Sequence, residues 1–190
     1  MTGEPRLFKL KPPLRDSDVT GMKIGDKVLI TGLMYGCRDA AHKNMVELLD
    51  KGNDLPVDLR GQILYYVGPT PAPKGRLIGA AGPTTSGRMD AYAPRMYDYG
   101  VKATVGKGTR TESVVKSMVK NKAVYLVAIG GLGATLASKI KGARVAAWPE
   151  LGTEALWEFR VEDFPAIVGN DVNGGDIYRE SVRYWAEKLK

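Results

Sequence analysis

Segments rich in β-forming residues alternate with segments of helical periodicity through the middle of this 190-residue chain, and this alternation restricts the fold more than any other feature. Residues 26–35 are rich in β-formers, and the apolar residues of 38–50 recur at the spacing of a helix face. The predicted strands are 26–35, 63–67, 101–105 and 123–129, and the predicted helices are 38–50, 89–99, 111–121 and 134–141. Such alternation is typical of an α/β domain with a mostly parallel sheet.

The two ends of the chain have a different pattern. Residues 1–22 belong to a proline- and charge-rich stretch and are predicted to form an extended N-terminal arm, whereas 179–190 favours a terminal helix. Three strand-like segments that we expect to form antiparallel ribbon lie at 144–147, 156–161 and 165–168. The length is typical of one domain, so we expect a single domain over 1–190.

Composition narrows the classes of function. The one cysteine, Cys37, and the one histidine, His42, cannot complete a cysteine-held iron–sulfur cluster or a multi-histidine metal site, which need about three or four protein ligands. The net charge of +7 comes from scattered basic residues without interleaved aromatics, which disfavours a nucleic acid partner. No apolar run approaches the roughly 20 residues of a membrane span and no signal peptide pattern is visible, so we expect a cytoplasmic protein.

The segment Gly-Pro-Thr-Thr-Ser-Gly-Arg at 82–88 carries groups suited to an anion. We expect it to join a short apolar strand at 77–81 to a helix that begins near Met89. Glycines allow a close backbone approach, unpaired N–H groups at a helix start attract anions, and the fork of Arg88 suits carboxylate or phosphate. The spacing nearly matches a phosphate-binding P-loop, but Arg88 and Met89 replace its lysine and its metal-binding hydroxyl. A capped helix start with ordinary turn residues is the alternative.

A second junction between a predicted strand and a predicted helix begins with Arg38 and continues through Asp39 and His42. Such junctions lie at one edge of a parallel sheet, so Arg38 and Arg88 are expected to lie near each other, as a ligand with two carboxylates requires. Asp39 complements the dipole at the helix start. A lone histidine such as His42 is more often a hydrogen-bonded structural residue than a catalyst.

Two further glycine-rich turns follow predicted strands. Lys107 lies between two glycines, where it can reach a ligand or can be a solvated lysine in a turn. The Gly-Gly-Leu-Gly segment at 130–133 is a weak match to a dinucleotide fingerprint, because Leu136 stands where a third glycine or alanine is needed. Its glycines either line the ligand edge or allow close packing of helix on sheet. Three carboxylates in a turn-rich region are interpreted as structural: Asp163, Asp171 and Asp176.

Together these segments resemble the β subunit, or C-terminal domain, of class I fumarases and of the related L-tartrate dehydratases. The two most specific are Arg38-Asp-Ala-Ala-His-Lys and Gly82-Pro-Thr-Thr-Ser-Gly-Arg-Met-Asp. Shorter matches are Gly68-Pro-Thr-Pro-Ala-Pro, Gly106-Lys-Gly and Glu162-Asp-Phe-Pro-Ala. The resemblance covers nearly the whole chain.

The resemblance implies a swivelling β/β/α domain with a parallel central sheet, a second antiparallel sheet and helices. It also implies a partner, a larger α subunit that holds a 4Fe-4S cluster, in an α2β2 heterotetramer. The open iron of that cluster acts as a Lewis acid on the leaving hydroxyl. This chain alone then binds no metal or cluster.

The resemblance also assigns roles to single residues. Those assigned to substrate binding are Arg38, Arg88, Lys107, Thr85 and Gly82, and those in support are Asp39 and His42. Thr84 matches a threonine implicated in proton transfer, acting with an aspartate of the α subunit. A threonine hydroxyl can pass a proton only where the charges of the site lower its pKa.

The expected function is the reversible hydration of fumarate to L-malate, a tricarboxylic acid cycle reaction, by a hydro-lyase that is active only with its α subunit. An L-tartrate dehydratase β subunit is one alternative. A non-catalytic module that binds a dicarboxylate or another anion is the other.

Overall fold

A sheet of seven strands forms the centre of the computed structural model, which describes residues 4–189. The strands are β1 (Leu7–Leu10), β2 (Lys27–Cys37), β3 (Ile63–Tyr66), β4 (Ala103–Gly106), β5 (Val124–Val127), β6 (Ile140–Ala147) and β7 (Leu156–Asn170). The α-helices are α1 (Asp16–Val19), α2 (Asp39–Asp50), α3 (Ala93–Tyr99), α4 (Glu112–Asn121), α5 (Gly133–Ser138) and α6 (Ile177–Lys188). Two 3₁₀ helices, Ser86–Met89 and Pro149–Glu154, lie in the connections.

Five of the strands close into a ring. Strands β2, β3, β4 and β5 pair in parallel in that order, and β7 pairs antiparallel with both β5 and β2. Ile167 of β7 lies opposite Lys27 of β2 and opposite Val127 of β5, which marks the point of closure. Strand β1 extends the sheet beside β2, and β6 extends it beside β7.

The predicted α/β class and the predicted parallel middle are confirmed. The antiparallel strands differ from expectation, because β6 and β7 belong to the same continuous sheet rather than to a second one. Strand β7 makes this possible by its length of 15 residues, since its first half pairs with β6 and its end pairs with β5. The swivelling β/β/α architecture stays a prediction.

Two apolar cores lie on opposite faces of the sheet, because successive side chains of a strand point to opposite faces. In β3, Ile63 and Tyr65 belong to the core inside the ring, whereas Leu64 and Tyr66 belong to the core under α2, α3 and α4. Strand β5 divides in the same way, with Tyr125 on the helix side. Both strands are buried on both faces, which is typical of continuous apolar runs in a parallel sheet.

From Glu4 onward, the N-terminal segment that we expected to be an extended arm is part of the packed domain. It contains β1 and α1, and its Leu10, Leu14, Val19 and Met22 are buried in the core inside the ring. The prediction of a strand at 77–81 is wrong. There the backbone pairs with Thr70 and Gly133 instead of a neighbouring strand: Thr70 N donates to Ala80 O at 3.0 Å, and Ala81 N donates to Gly133 O at 3.0 Å.

Two predicted helices are shorter than expected. The helical pattern of 89–99 separates into the 3₁₀ helix Ser86–Met89 and α3, and Pro94 lies in the first turn of α3, where a missing N–H costs nothing. The helix predicted over 134–141 ends at Ser138, and Ile140 already pairs with Val161 in the sheet.

Two of the three turn-rich carboxylates, Asp171 and Asp176, are structural, as predicted. Asp171 accepts hydrogen bonds from the backbone N–H groups of Ile24, Asn173 and Gly175, and Asp176 caps α6. Among the helices of residues 4–189, none is long and apolar enough to cross a membrane.

Candidate functional site

The parallel strands end at one edge of the sheet, and the residues predicted to bind a ligand follow there. Strand β2 ends immediately before Arg38, and β4 ends immediately before Lys107. The 3₁₀ helix that contains Arg88 packs on the same edge, because Thr85 forms a parallel bridge with Lys107. The structure therefore brings these segments, far apart in sequence, to one edge.

One carboxylate joins the two arginines. Asp39 accepts from Arg38 Nε at 3.1 Å through one oxygen and from Arg88 Nε at 2.9 Å through the other. The side chain of Arg38 is 22% exposed and that of Arg88 is 50% exposed, so both remain accessible to a ligand. The Nε contact of Arg88 leaves the other edge of its guanidinium fork for an incoming carboxylate.

The side chain of Arg38 is fixed from two more sides. Its Nη2 lies 3.3 Å from Glu154, whose other oxygen accepts from Ala40 N in the first turn of α2. Gly68 lets it lie across the end of β3, since a Cβ at Gly68 would be 3.0 Å from Arg38 Cδ. Glu154 was not anticipated from the sequence.

The charge of Asp39 is secure at neutral pH. Partial burial by itself raises its pKa, but hydrogen bonds from its own backbone N–H, from Arg38 and from Arg88 outweigh this effect and hold the pKa below the ordinary value. Asp39 is therefore an anion that orients both arginines. This contact goes beyond the dipole role predicted for Asp39.

His42 is fully buried behind this pair and is neutral. Burial is the main cause that lowers its pKa to about 4, and the hydrogen bond to the Arg38 carbonyl acts in the opposite direction. Its Nδ1 lies 3.0 Å from that carbonyl oxygen, which can only accept, so Nδ1 carries the proton. Nε2 then faces the Cys37 thiol at 3.9 Å. His42 is placed to support the backbone of Arg38.

The loop at 82–88 is tied to the sheet through its backbone. Thr84 N donates to Tyr66 O at 2.7 Å, Lys107 N donates to Thr84 O at 3.3 Å, and Ser86 N donates to Lys107 O at 2.8 Å. The expectation of unpaired N–H groups at a helix start is wrong for Thr84 and Ser86, because the sheet uses them. The side chains of Thr84, Thr85 and Arg88 offer further donors to an anion here.

The side chain of Ser86 also fixes this loop, through a buried hydrogen bond. Its Oγ lies 2.8 Å from the hydroxyl of Tyr125, which donates to Gly108 O at 2.9 Å, so Ser86 is the donor to Tyr125. Gly106 permits this approach, because a Cβ there would overlap Ser86 Oγ. The loop at 82–88 and the turn around Lys107 are thereby fixed to each other.

The glycines of the remaining turn serve close packing. A Cβ at Gly130 would be 3.5 Å from Cδ of Lys107, so the lysine side chain runs along this turn. Gly133 packs on Gly82, since a Cβ at Gly133 would be 3.2 Å from Gly82 N. Both alternatives left open by the sequence therefore apply: these glycines border the site and allow tight packing. Lys107 and Thr85 are exposed.

An ion pair under the loop, between Arg110 and Asp90, was also missed from the sequence. Asp90 closes the segment that begins at Gly82, and Arg110 follows the Gly-Lys-Gly turn closely. The available signal was this proximity to two motifs, but nothing in the sequence indicated that the two residues meet.

The donor set of this chain does not fit an iron–sulfur cluster. Cys37 is the one cysteine, it is fully buried, and burial raises the pKa of its thiol, so it stays protonated. Residues 4–189 contain no group of three or more His, Cys, Asp and Glu side chains that could hold a metal ion. What the edge offers instead is two arginines, a lysine and hydroxyl groups, a donor set that suits a small dianion.

Comparison with known proteins agrees with this chemistry. The family described as Fumarase C-terminus matches residues 4–181. The chain is 39% identical over 161 residues to Fumarate hydratase 2 of Leishmania major, which covers 84% of this chain and 28% of that protein. It is 36% identical over 184 residues to the anaerobic class I fumarate hydratase of Escherichia coli (strain K12), which covers 95% and 34%.

A third relative differs in extent. The chain is 31% identical over 184 residues to the L(+)-tartrate dehydratase subunit beta of Escherichia coli (strain K12), which covers 94% of this chain and 90% of that protein. The chain thus spans about a third of the two fumarate hydratases but nearly all of this subunit. With the match over 4–181, the chain belongs to the fumarase C-terminal family, homologous to class I fumarate hydratases and to the L-tartrate dehydratase β subunit.

Proposed function

We propose that this chain is the substrate-binding β subunit of a two-subunit hydro-lyase that catalyses the reversible hydration of fumarate to L-malate. The observation that carries the proposal is the shared contact of Arg38 and Arg88 with Asp39, at the edge where Lys107 also lies. Three cations within one accessible region are suited to two carboxylates and to negative charge that develops between them. The homology to hydro-lyases supports the same chemistry.

In this proposal the arginines bind and orient the substrate. Asp39 and Glu154 hold the guanidinium groups in place before the substrate arrives, which lowers the entropy lost on binding. Lys107 supplies a flexible positive charge from the end of β4. Thr84 holds or passes a proton at its Oγ, a role that requires positive charge nearby to favour the charged form of that hydroxyl.

The cluster chemistry has to come from outside this chain. The donor set described above does not fit a cluster, so we propose that a 4Fe-4S cluster is held by an α subunit that covers the open edge. Support comes from exposed apolar side chains beside Lys107: Ile129 is 57% exposed and Leu132 is 41% exposed on the turn that contains Gly130. The α2β2 assembly, the cytoplasmic location and the place in the tricarboxylic acid cycle stay predictions.

Substitution of Arg88 by Ala tests the proposal. In the anaerobically assembled enzyme, Arg88→Ala should lower kcat/KM for fumarate by roughly 30- to 1,000-fold, the effect of one lost charged contact in a desolvated site. Fumarate absorbance follows the reaction. Arg95→Ala is the matched control, because Arg95 also pairs with an aspartate, Asp50, at 3.1 Å, but on the helices. Full activity of Arg88→Ala would contradict the assigned role.

L-Tartrate is the second candidate substrate, and it is favoured by the match over nearly all of the tartrate dehydratase subunit. The same assembled enzyme distinguishes the two, since dehydration of L-tartrate at a higher kcat/KM than malate would reassign the substrate. A third candidate function is that of a non-catalytic module that binds a dicarboxylate. Tight binding of fumarate to this chain alone, without turnover when an α subunit is added, would support that module.

A further inference from the structure

Arg110 lies buried beneath the loop at 82–88 and forms an ion pair that the proposed reaction does not use. Its side chain is fully buried and that of Asp90 is 9% exposed, and Arg110 Nε donates to Asp90 Oδ1 at 2.8 Å. The other oxygen of Asp90 accepts from Thr111 N at 2.7 Å. Asp90 therefore holds both the side chain of Arg110 and the backbone of the residue after it.

Two aromatic rings flank the guanidinium of Arg110. Its Cζ lies 5.2 Å from the ring centroid of Tyr66 and 5.1 Å from that of Tyr125, within the range of cation–π contacts. Nη1 lies 3.3 Å from the hydroxyl of Tyr66 and 3.3 Å from that of Thr104. Nη2 has no partner among the described residues.

An arrangement of this kind is a poor device for stability alone. Removing two charges from water costs more than an apolar pair of similar volume, and a buried donor without a partner adds to that cost. The position of Arg110 indicates a role other than stability. Every group that it contacts belongs to a segment that ends at the candidate site.

The contacts connect both cationic segments of the site. Asp90 follows Arg88 by two residues and Arg110 follows Lys107 by three, so their ion pair fixes one segment relative to the other. The carbonyl of Tyr66 accepts a hydrogen bond from Thr84 N. The hydroxyl of Tyr125 accepts from Ser86 Oγ and donates to Gly108 O. The two tyrosines that flank Arg110 therefore hydrogen-bond to the loop at 82–88 and to the turn at 106–108.

We infer that Arg110, through Asp90, is a positioning residue that sets the separation of Arg88 and Lys107 around the substrate. This inference rests on the proposed hydro-lyase function for its kinetic consequence. Its structural consequence, a fixed geometry between the loop at 82–88 and the turn at 106–108, belongs to the chain itself and can be measured without any reaction.

The first measurement is amide hydrogen exchange on the full chain by NMR. In Arg110→Met, which keeps the volume but removes the charge, we expect exchange at Ser86 and Lys107 to accelerate at least tenfold, with β1 amides unchanged. Asp90→Asn should do the same, because the carboxylate is lost from the same pair. Met22→Ala is the control for general destabilisation, because Met22 is buried before β2, away from this edge. Unchanged exchange in folded Arg110→Met and Asp90→Asn would overturn the inference.

The second measurement separates kcat from KM in the assembled enzyme. Displacement of catalytic groups by about 1 Å costs on the order of 100-fold in rate, so Arg110→Met should lower kcat about 100-fold with less than a fivefold change in KM. Arg110→Lys should restore part of it, since an ammonium can pair with Asp90. Should Arg110→Met not fold, Arg110→Lys takes its place, and we expect it to lower kcat by less than 100-fold with little change in KM. A loss equal to that of Met22→Ala, or no loss, would overturn the inference.

The two measurements keep the proposals apart. If the wild-type assembly shows no hydro-lyase activity, the proposed function fails. Accelerated exchange in Arg110→Met and Asp90→Asn would then still support the positioning role of Arg110, and unchanged exchange would refute it.

Discussion

At the scale of single residues, acidic side chains arrange the cations of the site in advance. Asp39 contacts Arg38 and Arg88 at 3.1 and 2.9 Å, and Glu154 contacts Arg38 at 3.3 Å. Long flexible side chains lose rotamer entropy when they bind a ligand, and these contacts reduce that loss. The contact of Arg88 occupies only its Nε, so a substrate carboxylate can bind the other nitrogens of that guanidinium without breaking it.

His42 makes the stability of the fold depend on pH. Its folded pKa of about 4 lies below the ordinary 6.5, so as pH falls the unfolded chain takes up the proton first. The contribution is complete above pH 6.5 and is lost as pH falls toward 4. We expect the free energy of unfolding to decrease by about 2 kcal/mol between pH 7 and pH 5 because of this residue.

Urea unfolding at pH 7, 6 and 5 measures this decrease. Carboxylates contribute little in that interval, because their ordinary pKa values lie near 4. His42→Asn, which keeps a donor near Nδ1 but does not titrate, should lose most of the pH dependence between 7 and 5. An equal slope in wild type and His42→Asn would show that another group is responsible.

At the scale of elements, the loop at 82–88 depends on the absence of a side chain in β4. A Cβ at Gly106 would overlap Ser86 Oγ and lie 2.9 Å from Tyr66 Cδ2, whereas nothing lies within 4 Å of a Cβ at Gly87. Gly106→Ala should therefore lower the free energy of unfolding by about 1–3 kcal/mol, the usual cost of overpacking. Gly87→Ala should change it by less than about 0.5 kcal/mol.

Urea denaturation of both variants checks this expectation, and the amide exchange of Ser86 shows whether the loop detaches. Faster exchange at Ser86 should occur in Gly106→Ala alone. Equal stability of the two variants would mean that the loop does not need the close approach at Gly106.

The sequence predicts the elements whose signals are local. Continuous apolar runs identify β3 and β5, and the apolar spacing of 38–50 identifies α2 within one residue of its start. The prediction of a strand at 77–81 is wrong because the backbone of this segment bonds to Thr70 and Gly133 rather than to a strand of the sheet. The closure of the ring could not be predicted either, since it depends on β7 pairing with two strands at once.

The candidate site divides in the same way. Arg38 and Lys107 were predicted because each follows a strand signal at the edge where ligands bind, and both strands are present. Arg88 was placed there through a predicted strand at 77–81 that the structure does not contain. Glu154 and the first turn of α2 are 114 residues apart in sequence, and Arg110 and Tyr66 are 44 residues apart. No local sequence pattern therefore predicts either contact. Buried polar contacts of this kind require the fold before they can be seen.

At the scale of the whole molecule, the fold supplies a rigid ring with one chemically equipped edge. The strands that enclose the apolar core also deliver the cations, the hydroxyls and the supporting carboxylates to that edge. Among residues 4–189, the donor set lacks what a cluster requires. We therefore propose that turnover needs a second polypeptide unit and that this chain provides the substrate-binding half.

The most direct test is the rate of fumarate hydration under anaerobic conditions in three samples: this chain, a cluster-bearing α unit, and their mixture. We predict hydration in the mixture alone, and its loss when Thr84→Val replaces the wild-type chain, because valine keeps the shape and removes the hydroxyl. Turnover by the α unit without this chain, or undiminished turnover with Thr84→Val, would show that this chain does not have the proposed role.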